Sequence, residues 1–136
     1  MKDLERIAKT AIDCGFQIHE QLGPGLLESV YEAVLAQSLQ QAGFAVERQK
    51  AIPIVFNGLA LEEGFRADLI VGGKLIIEIK SVEKLAGVHG KQLLTYLRLT
   101  NLKLGLLMNF NQELFKDGLR RVSNNYYGSW KQNQSA

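Results

Sequence analysis

Cysteine is almost missing from this chain. A single Cys14 among 136 residues cannot close an intrachain disulfide, so the fold must rest on burial and hydrogen bonding, as suits a reducing compartment. Histidine is scarce too, and His19, His89 and one cysteine do not make a zinc site. No apolar run is long enough to span a bilayer, because Lys, Asn or Glu interrupts each one. The opening Met1-Lys2-Asp3-Leu4-Glu5-Arg6 lacks the basic-then-apolar design of a signal peptide. These gaps lead to the expectation of a cytoplasmic protein with no membrane partner. A glycine-rich phosphate loop of the GxxxxGK[ST] type is also missing, which ranks a small-molecule-binding α/β protein last among the readings. Charge of one sign is lacking as well. Sixteen basic against 14 acidic residues leave +2, short of the field that dedicated nucleic-acid binders often carry, so function must rest on a site.

What is present is ordinary in bulk and specific in pattern. Forty-six per cent hydrophobic residues over 136 positions suit one domain, 1–136, with a polar tail from about Lys131. Apolar residues at Leu4, Ile7, Ala8, Ala11, Ile12, Ile18 and Leu22 recur at helical spacing and predict a first helix that stops at Gly23-Pro24-Gly25. Leu27, Val30, Tyr31, Val34, Leu35 and Leu39 predict a second, closed by Gly43. Val46 to Lys50 and Ile52 to Phe56 read as strand with an irregularity at Pro53, and Asn57-Gly58 turns the chain. Phe65 to Val71 and Leu75 to Val82 are the next strands, joined around Gly72-Gly73. After a loop at Glu83 to Gly90, a third helix runs to Asn101, then a strand from Lys103 to Phe110. A further strand is possible at Leu119 to Val122. Helices alternating with a short mixed sheet indicate a layered α/β domain of order α-α-β-β-β-α-β.

Alternation along Leu75 to Lys80 puts Ile76, Glu78 and Lys80 on one face. A Glu and a Lys two apart in a strand this rich in isoleucine are costly unless they pair or bind something. Whether Asp68 joins them depends on turn parity. A two-residue Gly72-Gly73 turn sets Asp68 opposite Ile77, on the wrong face. A three-residue loop, Val71-Gly72-Gly73 with Gly73 left-handed, sets it opposite Ile76 and diagonal to Glu78. The odd-length loop is the expectation. Side-by-side carboxylates suit Mg²⁺ or Mn²⁺, and Lys80 would orient an attacking water or stabilise developing charge.

Asp68 and Glu78-x-Lys80, with a helix before and a helix after, resemble the PD-(D/E)XK nuclease superfamily; Ala67-Asp68 stands where the nominal pattern has Pro-Asp. Gly25-Leu26-Leu27-Glu28-Ser29-Val30-Tyr31 is similar to the signature of its GxxExxY family, and Gln92-Leu93-Leu94-Thr95-Tyr96 resembles the Gln-x-x-x-Tyr helix motif of its RecB-like branch. The resemblance runs from about Gly23 through Phe110 and beyond. It implies a restriction-endonuclease-like three-layer core, a mixed β-sheet flanked by helices, and Mg²⁺- or Mn²⁺-dependent phosphodiester hydrolysis, with DNA as the partner. It further implies Asp68, Glu78 and Glu28 as metal ligands and catalytic residues with Lys80. Tyr31 reads as a packing residue with its hydroxyl bonded nearby. Gln92, then Tyr96, then His89 are candidates for holding phosphate or orienting Lys80, and Arg66 shares the face of Asp68. Arg98, Arg120 and Arg121 are further phosphate candidates, set against a solvated-surface reading. Tyr126, Tyr127 and Trp130 read as anchors of the tail. The competing reading is a catalytically silent nucleic-acid-binding or partner-binding module on the same fold. A homodimer or a protein partner is compatible with either.

Overall fold

The computed structural model describes residues 2–126. Two helices come first, α1 (Lys2–Leu22) and α2 (Glu28–Gln41), followed by strands β1 (Val46–Phe56), β2 (Leu59–Val71) and β3 (Leu75–Lys80). Helix α3 (Gly87–Thr100), β4 (Leu104–Asn109), a short 3-10 helix (Phe115–Gly118) and β5 (Leu119–Ser123) complete the described chain. The order is the one the periodicity predicts, with shifted ends. Helix α3 starts within the expected loop, β3 stops two residues early, and β2 begins immediately after Asn57-Gly58. Both turn residues have positive φ, +49° and +82°, the signature of a tight hairpin turn. The expected irregularity at Pro53 appears as a register shift between Ile52 and Ile54. Leu22, Leu27 and Val30 are exposed, so the apolar stripes of α1 and α2 are narrower than periodicity alone suggests.

The strands form one five-stranded sheet in the order β1-β2-β3-β4-β5. Only β3 and β4 pair in parallel, with α3 as the crossover between them. One face packs on α1 and α2, where Ile7, Tyr31 and Leu35 meet Leu69, Ile77, Ile79 and Met108. The other packs on α3, where Leu93, Tyr96 and Leu97 meet Ile70, Ile76 and Leu107. This is a three-layer mixed α/β fold. Because β3 is central and covered on both sides, five of its six residues are buried, Glu78 among them. No helix among the described residues is long and apolar enough to cross a membrane.

The turn between β2 and β3 has odd length, but its residues are Gly72, Gly73 and Lys74 rather than Val71, Gly72 and Gly73. Val71 pairs with Leu75, Ile70 with Ile76 and Leu69 with Ile77. Both glycines take positive φ, +59° and +67°, where only Gly73 was expected to. A side chain at Gly72 would also meet Ile7 of α1. The register is thereby moved by two residues, and Asp68 falls directly opposite Glu78 instead of diagonal to it. The odd parity is preserved, and the two carboxylates meet just past the last ladder pair.

Candidate active site

Regular pairing of β2 with β3 ends at Leu69 and Ile77, and beyond that point side chains take over from the main-chain ladder. The Asp68 amide donates to Glu78 Oε2 at 2.8 Å, and the Ile79 amide donates to Asp68 Oδ2, also at 2.8 Å. Each carboxylate thus binds the opposite strand, and the two acids are tied together where the strands part. Glu78 is only 5% exposed. Burial first, and the Asp68 charge second, push its pKa up to about 8. Burial also raises that of Asp68, with Glu32 adding to the effect. Lys80, two residues after Glu78, acts in the opposite sense on both acids. It makes no ion pair with any described residue.

Glu32 was not among the sequence candidates. It lies on α2, 6% exposed, with Oε2 taking the Arg48 guanidinium at 3.1 Å and Oε1 taking Gln49 Nε2 at 2.6 Å. The same Gln49 nitrogen donates to Asp68 Oδ1 at 3.2 Å. A sequence signal existed: Glu32 occupies the buried side of α2, among Tyr31, Leu35 and Ala36, where an apolar residue is the default. Glu28, one turn earlier, is placed elsewhere. It accepts the Ser81 amide at 3.1 Å, just past the end of β3, and Ser81 Oγ bonds Leu26 O at 2.8 Å. Gly25, Leu27, Glu28, Ser29, Ser81 and Asn111 line an open cleft of about 580 Å³ there.

Tyr31 holds the loop that leads into Glu28 at the start of α2. Its buried hydroxyl donates to Gly23 O at 2.6 Å and accepts the Leu26 amide at 3.1 Å, and its ring stacks on Phe110 at 4.4 Å. This matches the expected packing role. Tyr31→Phe should cost about 1–3 kcal/mol in denaturant titration, because two backbone groups lose their partner. A loss below a few tenths of a kcal/mol would show the loop to be held without it.

The remaining candidates divide. Tyr96 is buried against Phe65, ring centroids 4.0 Å apart, and its hydroxyl is pushed up to about 12 by burial and then by Glu78 and Asp68. It therefore belongs to the same electrostatic neighbourhood. Gln92 lies one turn earlier on α3, exposed. His89 turns back to accept the Ala86 amide on Nδ1 at 3.0 Å, capping its own helix. Arg66 donates to Gln49 O at 3.1 Å, on the strand facing Asp68. Arg121 is not available to phosphate in the way a surface arginine is; it pairs with Glu5 at 2.8 Å and its side chain is largely buried. Tyr126 also bonds Glu5, an anchor as expected, and Arg120 donates to backbone carbonyls. Arg98 is exposed. His19 is a satisfied core residue, 2.7 Å from Gln112 O. Tyr127, Trp130 and the tail from Lys131 lie outside the described residues.

Among the described residues no three His, Cys, Asp or Glu side chains converge as ligands of a metal cage. The available donor set is the Asp68–Glu78 pair. It fits a hard divalent cation that keeps most of its water: the donors are oxygens, and burial first, with the Asp68 charge second, holds Glu78 protonated near neutrality. A cation there would relieve the repulsion between the two acids.

A family model described as the PD-(D/E)XK nuclease superfamily matches residues 5–122. No curated protein and no solved structure matches the chain.

Proposed function

With 118 of its residues (5–122) matched, the chain belongs to the PD-(D/E)XK nuclease superfamily, and from that membership we propose that it is a divalent-metal-dependent nuclease acting on DNA, the whole chain serving as one catalytic domain. The observation that carries the reading is the reciprocal exchange between Asp68 and Glu78, followed on the same strand by Lys80. Nothing in sheet packing requires two acids and a lysine at this point, and burying an acid pair without a counter-ion is costly.

In this reading Asp68 and Glu78 hold Mg²⁺ or Mn²⁺, which when bound would polarise the phosphoryl group and favour ionisation of a water. Lys80 orients the attacking water and stabilises charge developing in the transition state. Glu28 assists through water from the wall of the cleft. Tyr96 keeps its proton across the working pH range and is a hydrogen-bond donor near the acids. Gln92, His89 and Arg66 flank the path of the substrate backbone. The likeness of Gly25 to Tyr31 to the GxxExxY signature supports placing Glu28 in the set.

The test is incubation of the purified chain with linear, nicked and single-stranded DNA in Mg²⁺, Mn²⁺ or EDTA, beside Asp68→Asn. Cleavage that needs the metal and is lost in Asp68→Asn is the expected result. DNA retention without cleavage in any metal would instead favour the silent binding module. Equal cleavage by Asp68→Asn would reject this site.

A further inference from the structure

Gln49 has a backbone conformation that its position does not explain. It sits inside β1 at φ +50°, in the left-handed region that side chains other than glycine and asparagine rarely adopt. The other non-glycine residues with positive φ among those described are Asn57, Asn101 and Asn125, at a hairpin turn, a helix end and a bend after β5. Those places commonly use such a conformation. The middle of a strand does not.

The neighbours of Gln49 show what the conformation achieves. Arg48 pairs with Leu69 and Lys50 with Ala67, so Gln49 stands opposite Asp68 at the gap between these pairs. Its side-chain nitrogen spans Glu32 Oε1 at 2.6 Å and Asp68 Oδ1 at 3.2 Å, and its carbonyl accepts from Arg66. Since both side-chain contacts are to carboxylate oxygens, the amide must present its NH₂ group to them. With Ile79 N on Oδ2, both oxygens of Asp68 are held, one from each neighbouring strand.

We propose that Gln49 is a positioning residue, whose strained backbone aims a neutral amide between Glu32 and Asp68 and so fixes the Asp68 carboxylate for the cation. The inference rests on the metal reading above. Neutrality matters physically. A lysine or arginine here would hold the same two acids but repel a divalent cation, whereas an amide supplies N–H donors and adds no charge. Strain of this kind persists where the surroundings over-determine it, and sites that bind or react are where it collects.

Two full-length variants separate the amide from the backbone. Gln49→Asn keeps a side chain that tolerates left-handed φ but is one methylene too short to span both acids; Gln49→Gly relieves the backbone and removes the amide. Both should bind Mn²⁺ about 10–100-fold more weakly by calorimetric titration, while Gln49→Gly melts no lower than the parent. In metal-free protein, both should lose hydrogen-exchange protection at the Ile79 amide, because Asp68 is free to turn. Parental Mn²⁺ affinity and an unchanged Ile79 amide would overturn the proposal, as would weakened binding that simply follows a lower Tm in both variants. Parental Mn²⁺ affinity in Asp68→Asn and Glu78→Gln would instead overturn the metal reading, and the Ile79 amide would then decide the role of Gln49 by itself.

Discussion

Replacing Lys80 with alanine is expected to lower the rate of DNA cleavage by about 10²–10³-fold, the usual loss when one preorganised donor to a developing charge is removed. Metal binding should respond in the opposite sense. The ammonium group favours the ionised forms of Asp68 and Glu78, so it lies within Coulombic range of any cation they hold. Removing it takes away a repulsion, and Mn²⁺ should bind Lys80→Ala as tightly as the parent or more so. The pair of measurements distinguishes a residue acting on the reaction from one acting on the metal. If cleavage survives the substitution, Lys80 is only a solvated charge at the end of β3. If cleavage and Mn²⁺ affinity fall together, its role is to support the acid pair.

The metal-free protein should lose stability as the pH rises from about 4.5 to about 8. Glu78 has an ordinary value of 4.5 and is raised to about 8 in the folded chain, so the folded state holds its proton after the unfolded state has released it. Below pH 4.5 both states are protonated and there is no penalty. Between the two values the penalty grows, and above about 8 it is complete, on the order of 5 kcal/mol from this group. Asp68 is shifted in the same direction and adds to the slope. Glu78→Gln should flatten the dependence, because it removes the buried charge while keeping the shape. Mn²⁺ should stabilise the parent more at pH 8 than at pH 5.5, since the cation binds the ionised pair and displaces a proton. Denaturant titrations at those pH values, with Mn²⁺ and with EDTA, measure all three effects. Metal-free stability that rises toward pH 8 would contradict the burial of an unrelieved acid pair.

Much of this site could be read from residue order. Asp68, Glu78 and Lys80 stand out because charged residues interrupt strands rich in β-branched and aliphatic side chains, and the match over residues 5–122 agrees with the family resemblance those residues carry. The odd parity of the glycine turn was also legible. Its register was not. Val71 remained in the strand and Lys74 joined the loop, which placed Asp68 directly opposite Glu78 and allowed each carboxylate to bind the opposing backbone. Both readings satisfy the same alternation, and the choice between them is made by packing of Val71, Leu75 and Ile7 in the core beneath the turn.

Glu32 and Gln49 mark the boundary more sharply. An acid on the buried side of α2 can be seen in the sequence as an anomaly, but its partner cannot, because Arg48 and Gln49 come from a strand 16 and 17 residues away. Gln49 carries no local signal for left-handed backbone; glutamine in a strand is ordinary, and its conformation follows from what α2 and β2 place around it. The sequence alone determined the order of helices and strands and the shared face of Glu78 and Lys80, since these depend on period and residue type. Only the tertiary structure decided which carboxylates face one another and which charges are buried, because register, desolvation and contact across the layers are properties of packed elements and not of any one segment.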